Sequence, residues 1–218
     1  MKVLLVAPPG AGKGTQGAVI AGHFAIPHIA TGDLLRDHVA RGTELGLTVK
    51  AYIDKGDLVP DDVVLAMVRT ALESLDGQGY VLDGLPRTLE QAKALYEIAQ
   101  ELDVTADVAL HLQATDEELV RRLLARAATL GRSDDTAEVI ERRLHLYYDV
   151  TEPILTWYRE RGILVTVDAM RPADQVGRQI LTALEVMKQM REGSPELARQ
   201  PIDLTGLGAA FGVRKQDS

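Results

Sequence analysis

Three glycines and a lysine near the N-terminus have the types and spacing best suited to chemistry. Residues 7–15 read Ala-Pro-Pro-Gly-Ala-Gly-Lys-Gly-Thr, directly after an apolar run and before a helix-like stretch. Because glycine has no side chain, Gly10, Gly12 and Gly14 let successive backbone N–H groups approach one anion, with the positive end of the next helix behind them. Lys13 adds a mobile point charge for outer phosphates. The segment therefore predicts a phosphate-binding loop.

The loop departs from the strict pattern G-x-x-x-x-G-K-[ST] at two places. Position 7 is Ala, and Gly14 stands between Lys13 and Thr15. The methyl group of Ala7 crowds the loop if that position requires a positive φ. The alternative is an ordinary glycine-rich turn between a strand and a helix. The position of the loop directly after a buried-type strand favours phosphate binding.

An acid and an arginine form a second candidate group, in the stretch Tyr-Val-Leu-Asp-Gly-Leu-Pro-Arg that begins at residue 80. Asp83 ends an apolar run, and a carboxylate there suits Mg²⁺, which keeps several waters and is held by one or two carboxylates plus substrate phosphates. Gly84 and Pro86 turn the chain, so Arg87 reaches the same end of the sheet, where a guanidinium grips phosphate by paired hydrogen bonds. The alternative is an Asp that caps the next helix and a solvated Arg. Together with the phosphate loop, the pair favours function.

Strand patterns alternate with helix patterns along the chain, which positions these groups. The apolar runs lie at 2–6, 27–30, 79–82, 107–112 and 163–167. The helix-like stretches lie at 13–24, 33–41, 44–56, 61–75, 88–102, 116–128, 137–161 and 172–190. Such alternation predicts an α/β fold, with parallel strands joined by crossover helices on both faces of the sheet. Ligands of such sheets bind at the carboxyl ends of the strands, where both candidate groups fall.

Two segments interrupt the alternation, and a third follows it. Residues 31–59 place two short helices over the expected site, as a helical insertion. Residues 127–136 form a short polar loop between two helices, which we interpret as a lid. Residues 191–218 are rich in Gly, Pro and charge and are interpreted as an appended, loosely packed tail.

Composition excludes several classes of protein. The chain has 218 residues, 46% hydrophobic, a net charge of −8 and no cysteine. The hydrophobic content suits a folded domain, and the acidic balance argues against nucleic acid as the main partner. Without cysteine there is no disulfide, Cys-ligated zinc or thiol catalysis. The chain shows no signal-peptide layout and no membrane-spanning run, so we expect a cytoplasmic protein with no membrane partner.

Four motifs in order resemble the adenylate kinases of the nucleoside monophosphate kinase family. They are Gly-Ala-Gly-Lys-Gly-Thr at 10–15, Thr-Gly-Asp-Leu-Leu-Arg at 31–36, Gly-Asp-Leu-Val-Pro at 56–60 and Asp-Gly-Leu-Pro-Arg-Thr at 83–88. The resemblance covers roughly residues 1–190 and implies a P-loop NTPase-type, five-stranded parallel sheet. It implies a core formed by 1–30, 60–126 and 137–190, a monophosphate-binding insertion at 31–59 and a short lid at 127–136. Leu85 departs from the Phe common in the family, and the tail has no counterpart.

The resemblance also implies the acceptor side of a two-nucleotide site. Arg36 and Arg87 hold the phosphate of AMP, and Thr31 and Gln91 face its adenine. A Gln amide offers a donor and an acceptor side by side, which matches the amino group and adjacent ring nitrogen of adenine. The remaining acceptor-side residues by family position are Asp57, Leu58, Val59, Gly84, Arg132 and Arg143. The alternatives without a binding role are that Gln91 is a solvated helix residue and that Thr31 lies in a turn or caps a helix.

The resemblance also implies the residues on the donor side of the site. The resemblance assigns ATP to Gly10, Ala11, Gly12, Lys13, Gly14, Thr15, Arg122 and Arg126, with Arg122 stacked on the base. It assigns catalytic roles to Lys13, Arg87, Arg122, Arg132 and Arg143. The alternative is solvated ion pairing, since Glu118 and Arg122, like Glu138 and Arg142, are four residues apart. Arg121 and Arg142 fit that alternative.

The implied activity is reversible phosphoryl transfer, in which Mg·ATP and AMP give two ADP, with a role in adenine nucleotide homeostasis. Asp83 holds Mg²⁺ through its waters, no zinc is expected, and the protein acts as a monomer. Three alternatives stay open: a sibling enzyme for UMP or CMP, a small-metabolite kinase of the shikimate kinase type, and a non-catalytic nucleotide-binding protein. Thr31 and Gln91 favour AMP over the first. The insertion and the 83–91 segment speak against the second, and the retained Lys13 and arginines speak against the third.

Overall fold

Five parallel strands and a set of flanking helices make up the computed structural model, which describes residues 1–130, 134 and 136–193. The strands are β1 (Lys2–Val6), β2 (His28–Ala30), β3 (Tyr80–Asp83), β4 (Val108–Gln113) and β5 (Leu164–Asp168). The helices are α1 (Lys13–Phe24), α2 (Thr31–Ala40), α3 (Glu44–Lys55), α4 (Asp61–Glu73), α5 (Leu89–Glu101), α6 (Asp116–Leu130), α7 (Ala137–Leu146), α8 (Ile154–Glu160) and α9 (Ala173–Gly193). The α/β prediction is confirmed.

The sheet has the strand order β2-β3-β1-β4-β5, and every pairing in it is parallel. Val3 of β1 lies opposite Val81 on one side and Val108 on the other, so β1 is central. From β1 the chain passes to the edge strand β2, returns to β3 beside β1, and then continues through β4 to the other edge at β5. The carboxyl ends of β1 and β3 therefore lie side by side, and they carry the phosphate loop and Asp83.

The alternation of side chains along β1 explains why helices cover both faces of the sheet. Leu4 and Val6 point into a core shared with α4, α5 and α8, whereas Val3 and Leu5 point into a core shared with α1, α6, α7 and α9. All four side chains are almost fully buried. A strand buried on both faces reads as a continuous apolar run, which is why the sequence signal of β1 is strong.

Three helices begin at caps that the sequence encodes. The hydroxyl groups of Thr43, Thr88 and Thr136 accept hydrogen bonds from the backbone N–H three residues later, at the starts of α3, α5 and α7. Such side chains satisfy donors that have no partner within the first helical turn. Helices α2 and α3 stand between β2 and α4, in the segment that interrupted the sequence pattern.

One predicted helix is divided in the structure. Instead of a continuous helix over 137–161, α7 ends at Leu146, a π-helical turn covers Tyr147–Thr151, and α8 begins at Ile154. Pro153 explains the interruption, because proline has no N–H to donate to the preceding turn. The N–H of Glu152 donates to the carbonyl of Tyr147, five residues back, at 2.7 Å.

Two other boundaries differ from the sequence prediction. Helix α6 continues to Leu130, so residues 127–130 are helical rather than part of a loop. Helix α9 continues to Gly193, three residues beyond its expected end. The rest of the predicted lid, apart from 134 and 136, and the tail from 194 onward lie outside the described residues, as does Arg132. Within the described chain, no helix is both long and apolar enough to cross a bilayer.

Candidate active site

One large cleft opens at the carboxyl ends of β1 and β3, with a volume of about 1160 Å³. Its lining includes every predicted site residue that the structure describes. These are Gly10, Ala11, Gly12, Lys13, Gly14, Thr15, Thr31, Arg36, Asp57, Leu58, Val59, Asp83, Gly84, Arg87, Gln91, Arg122, Arg126 and Arg143. Residues distant in sequence are therefore brought to one site.

The phosphate loop has the backbone conformation that only glycine adopts easily. Gly10 and Gly12 have φ angles of 87° and 96°. A Cβ on Gly10 would lie 2.8 Å from the carbonyl oxygen of Leu119, so this position also lacks space for a side chain. Gly12 precedes α1 and supplies no side-chain cap. The first-turn N–H groups of α1 are thus directed at the cleft, as anion binding requires.

Ala7 does not crowd the loop. The structure gives positive φ to the non-glycine residues Ala25, Asp76 and Asp103 among those it describes, and Ala7 is not one of them. Its methyl group is buried in the apolar cluster that contains Val3. Ala7 therefore fits, because the tight curl of the loop falls at Gly10 and Gly12 instead.

Lys13 folds back onto the loop that carries it. Its Nζ donates to the carbonyl oxygens of Ala7 at 2.6 Å and Pro8 at 3.1 Å. Burial lowers the pKa of Lys13 to about 8, and the nearby carboxylate of Asp83 opposes that shift. Since an ammonium group has three donors, the two carbonyls leave one for a ligand. A buried cation in this position is stabilised by an incoming phosphate.

Asp134 lies among arginines that line the cleft. Arg143 Nη1 donates to its carbonyl oxygen at 2.9 Å and to its Oδ2 at 3.0 Å, and Arg36 Nη1 lies 3.9 Å from Oδ2. Arg36 is also held by Asp33, with 2.6 Å between Nη2 and Oδ1. Arg87 donates through Nε to the carbonyl of Gly84 at 2.9 Å. Each of these guanidinium groups therefore has a partner within the protein.

Burial lowers the pKa of Arg87, and the carboxylate of Asp83 opposes the shift while Arg36 adds to it. A buried cation near a second cation favours an anionic ligand, because the ligand replaces the water that each guanidinium has lost. The electrostatics of this part of the cleft therefore suit a phosphate group.

Arg122 and Arg121 share Glu118 but have different environments. Arg122 Nε and both Nε and Nη2 of Arg121 donate to this carboxylate, each at 2.7 Å. Only Arg122 also donates to the carbonyl of Ala169, at 2.8 Å. The ion-pairing alternative is thus correct for Arg121. Arg122 also pairs with Glu118, as the four-residue spacing indicated. In addition it contacts the segment after β5.

The expected pairing of Arg142 with Glu138 is wrong, because Arg142 donates to Asp57 Oδ1 instead. The two partners belong to α7 and to the loop after α3. A Cβ on neighbouring Gly56 would lie 2.8 Å from Val139 of the same helix, so the loop packs closely on α7. With its carboxylate engaged, Asp57 offers mainly its backbone to the cleft.

Thr31 and Gln91 are buried, and each is 2% exposed. Gln91 is therefore not a solvated helix residue, and Thr31 is not an N-cap. The hydroxyl of Thr31 donates to the carbonyl of Asp83 at 3.1 Å and does not cap a helix. The amide of Gln91 accepts from the N–H of Arg87 at 2.7 Å and donates to Asp61 Oδ1 at 2.6 Å. Gln91 is therefore held rigidly in the wall of the cleft.

Asp83 fits a magnesium ion that arrives with phosphates. Its carboxylate is 13% exposed in the cleft, and it acts electrostatically on Lys13 and Arg87. Among the described residues no group of three or more His, Cys, Asp or Glu side chains could hold a metal ion. A single carboxylate matches Mg²⁺, which takes its other ligands from water and substrate phosphates.

Residues 169–173 also line the cleft, and the sequence analysis did not select them. They follow Asp168, the last residue of β5. The rule that ligands bind at the carboxyl ends of strands applies to β5 as to β1 and β3, and it was the available signal. Gln16 Nε2 holds this segment by donating to the carbonyl of Ala173 at 2.9 Å.

Comparison with known proteins shows which family the sequence resembles. The family model described as adenylate kinase matches residues 5–163. A curated adenylate kinase of Thermobifida fusca (strain YX) is 47% identical over 186 residues, covering 85% of this chain and 98% of the relative. Adenylate kinases of Leptospira biflexa (strain Patoc 1 / Ames) and Mycobacteroides abscessus are each 46% identical, covering 84% of this chain and 99% of the relative. The chain belongs to the adenylate kinase family.

Proposed function

We propose that the protein catalyses reversible phosphoryl transfer from Mg·ATP to AMP, giving two ADP. The observation that carries the proposal is a single cleft that is lined both by the phosphate loop and by Arg36 and Arg87. Its volume of about 1160 Å³ exceeds the roughly 300–1,000 Å³ typical of a site for one drug-sized ligand. The size supports two nucleotides facing each other.

The donor occupies the side formed by the phosphate loop. The N–H groups of residues 10–15 and the ammonium of Lys13 bind its phosphates. Its base lies between Arg122 and the segment 169–173, where the guanidinium stacks on the ring. The ion pair with Glu118 and the bond to Ala169 support this role, because they hold the guanidinium against that segment.

The acceptor occupies the side formed by α2, the 57–59 loop and the start of α5. Arg36 and Arg87 hold the AMP phosphate, and Thr31, Gln91 and Gly84 line the pocket around the nucleoside. The amide of Gln91 pairs with the Watson–Crick edge of adenine. Burial of these groups supports the assignment, because buried polar groups discriminate strongly against ligands that leave them without partners.

Transfer requires positioning more than covalent help from the protein. An oxygen of the AMP phosphate attacks the γ-phosphorus of ATP, and the bond from that phosphorus to the bridging oxygen breaks, so ADP leaves. The phosphate nucleophile is already ionised, and no general base is needed. Arg122, Arg126, Arg132 and Arg143 neutralise charge on the moving group. Closure of the insertion and the lid excludes water, which would otherwise hydrolyse ATP.

Asp83 would hold the Mg²⁺ that accompanies ATP, through waters of the ion, and the ion supplies charge neutralisation at the transferred phosphoryl group. The domain boundaries, with a core, an insertion at 31–59, a short lid and a tail, are part of the proposal, as is action as a monomer. Light scattering coupled to gel filtration tests the last point.

The test is a coupled assay of ADP formation with Mg·ATP and each of AMP, UMP and CMP. We expect AMP to be preferred, and Arg87→Ala to lower kcat/KM for AMP by about 10²–10³, as for loss of a preorganised charge-stabilising donor. Preference for UMP or CMP would identify the sibling enzyme instead. ATP binding without turnover would identify a non-catalytic nucleotide-binding protein, and unchanged activity of Arg87→Ala would refute the assignment of the acceptor site.

A further inference from the structure

The amide of Gln91 is held by a carboxylate behind the wall of the cleft. Gln91 Nε2 donates to Asp61 Oδ1 at 2.6 Å, and Asp61 stands in the first turn of α4. Gln91 lines the cleft, whereas Asp61 is not among the described residues that do. Gln91 lies in the third position of α5, where its own N–H donates to the cap Thr88 at 3.0 Å.

The two neighbours of the amide fix which end is oxygen and which is nitrogen. A backbone N–H only donates, so the N–H of Arg87 requires the amide oxygen, which it meets at 2.7 Å. An ionised carboxylate only accepts, so Asp61 requires the amide nitrogen. A 180° rotation of the amide would place donor against donor and acceptor against acceptor. The orientation is therefore determined by chemistry at both ends.

After these two hydrogen bonds, the amide of Gln91 can still form hydrogen bonds with a nucleotide base. A primary amide has two N–H donors and two acceptor lone pairs, and each neighbour uses one. One donor and one acceptor remain for a ligand. In the fixed orientation they match adenine, which offers an amino donor beside a ring-nitrogen acceptor. The edge of hypoxanthine is the reverse, because a carbonyl acceptor stands beside a ring N–H donor.

We propose that Asp61 is a positioning residue that sets the base selectivity of the acceptor pocket by fixing the orientation of the Gln91 amide. The inference rests on the proposed function, in which Gln91 faces the base of the monophosphate. Without Asp61 one amide N–H loses its partner and only the N–H of Arg87 still opposes rotation. The orientation that matches adenine is then held less strongly against the one that matches hypoxanthine. Asp61 thus acts on the substrate through Gln91 and without touching it.

The experiment uses the full-length protein with Mg·ATP and either AMP or IMP as acceptor. Asp61→Ala removes the acceptor, and Asp61→Asn keeps an oxygen at that position. Asp62→Ala is the matched control, because Asp62 is exposed in the same first turn of α4 and carries the same charge. Asp61→Ser is a second variant that preserves a helix-start residue but is too short to reach Gln91.

For Asp61→Ala and Asp61→Ser we expect the ratio of kcat/KM for AMP to that for IMP to fall about tenfold, as for loss of one hydrogen bond to a charged group. The change appears in KM for AMP, while KM for ATP stays within about twofold of wild type, because the donor side is untouched. Asp61→Asn restores most of the ratio, and Asp62→Ala leaves it unchanged.

A wild-type ratio in both Asp61→Ala and Asp61→Ser would overturn the inference. An equal change in Asp62→Ala would also overturn it, because the effect would then come from charge at the helix start. Gln91→Ala shows whether a negative result concerns only Asp61 or the proposed adenine pocket as well. If Gln91→Ala leaves KM for AMP unchanged, the adenine role of Gln91 itself is wrong. If it raises KM for AMP while the Asp61 variants do not, only the role of Asp61 is wrong.

Discussion

The two sides of the cleft hold charge in different ways. On the proposed donor side the binding groups are mainly backbone N–H groups, set by the left-handed conformations of Gly10 and Gly12. On the proposed acceptor side they are side chains, each held by a neighbour: Arg36 by Asp33, Arg87 by the carbonyl of Gly84 and Gln91 by Asp61.

The difference determines how each side tolerates change. A backbone cradle has its geometry fixed by a few dihedral angles, so a substitution that alters them displaces all of its N–H groups together. A pocket made of supported side chains loses one contact at a time, because each pair acts separately. We therefore expect severe effects from donor-side substitutions and graded, substrate-specific effects from acceptor-side ones.

The largest effect is expected for Lys13→Met, which removes the one side-chain cation that the phosphate loop itself carries. Loss of a preorganised charge in a buried site predicts a fall in kcat of about 10²–10³ or more. Stability should not fall in parallel, because burial of the ammonium already opposes its charged form. The coupled assay gives kcat and thermal unfolding gives Tm. A variant that kept wild-type kcat would show that the cradle works by its backbone alone.

The pH dependence tests the same residue without a mutation. The pKa of Lys13 is lowered to about 8 in the folded protein, so the free enzyme loses this charge above that pH. We expect kcat/KM for ATP to fall about tenfold per pH unit above the inflection, while kcat at saturating ATP holds to higher pH, since bound phosphate favours the ammonium.

The same shift has a consequence for stability, with the opposite sign. Between the folded pKa near 8 and the ordinary value of 10.5, the unfolded chain binds more protons at Lys13 than the folded protein does. The contribution of Lys13 to the free energy of unfolding therefore rises with pH across this window. An activity profile with no inflection between pH 7 and pH 10.5 would contradict the kinetic expectation. Denaturant unfolding across the same range tests the stability expectation, and a Lys13→Met variant with the same pH dependence as wild type would contradict it.

Substitutions at two glycines of the phosphate loop distinguish the cost of backbone strain from the cost of a steric collision. Both have positive φ, but a Cβ on Gly12 meets nothing within 4 Å, whereas a Cβ on Gly10 lies 2.8 Å from the carbonyl of Leu119. Gly12→Ala should therefore cost about 1–2 kcal/mol of stability, the penalty for a left-handed alanine. Gly10→Ala should cost more, because α6 must also move. Equal Tm shifts for the two variants would show that the contact with Leu119 has no cost.

The sequence predicted the fold and a set of residues that the structure brings to one cleft, for identifiable reasons. β1 is buried on both faces, so it appears as a continuous apolar run, and Gly10 and Gly12 lie in a pattern with few other uses. The division of the 137–161 helix was missed although Pro153 was visible, because the helical periodicity continues across it. The fit of Ala7 could not be predicted, since it depends on the backbone angle at one position.

Contacts between distant segments were the least predictable part. Glu138 was expected to pair with Arg142 from local spacing, but Asp57 is the partner, 85 residues away. For Gln91, the Thr-x-x-Gln spacing from Thr88 was a sequence signal of a helix start with a committed side chain. The second partner, Asp61, is encoded only by the fold. Local spacing identifies candidate groups, and tertiary packing decides which carboxylate holds each one.

The smallest effect is expected for Arg121→Ala, and comparison with Arg122→Ala distinguishes the roles of these two adjacent arginines. Arg121→Ala should leave Tm and both KM values close to wild type, because the side chain is 67% exposed and its partner Glu118 keeps Arg122. Arg122→Ala should raise KM for ATP about three- to tenfold, through loss of a stacking cation and of its bond to the segment after β5. It should also lower kcat, because the same guanidinium is proposed to neutralise charge on the moving group. KM for AMP should stay nearly constant in both variants, because neither arginine contributes to the acceptor side. If Arg121→Ala matched Arg122→Ala, the common factor would be Glu118, and the donor base would depend on that carboxylate rather than on the contact between Arg122 and Ala169.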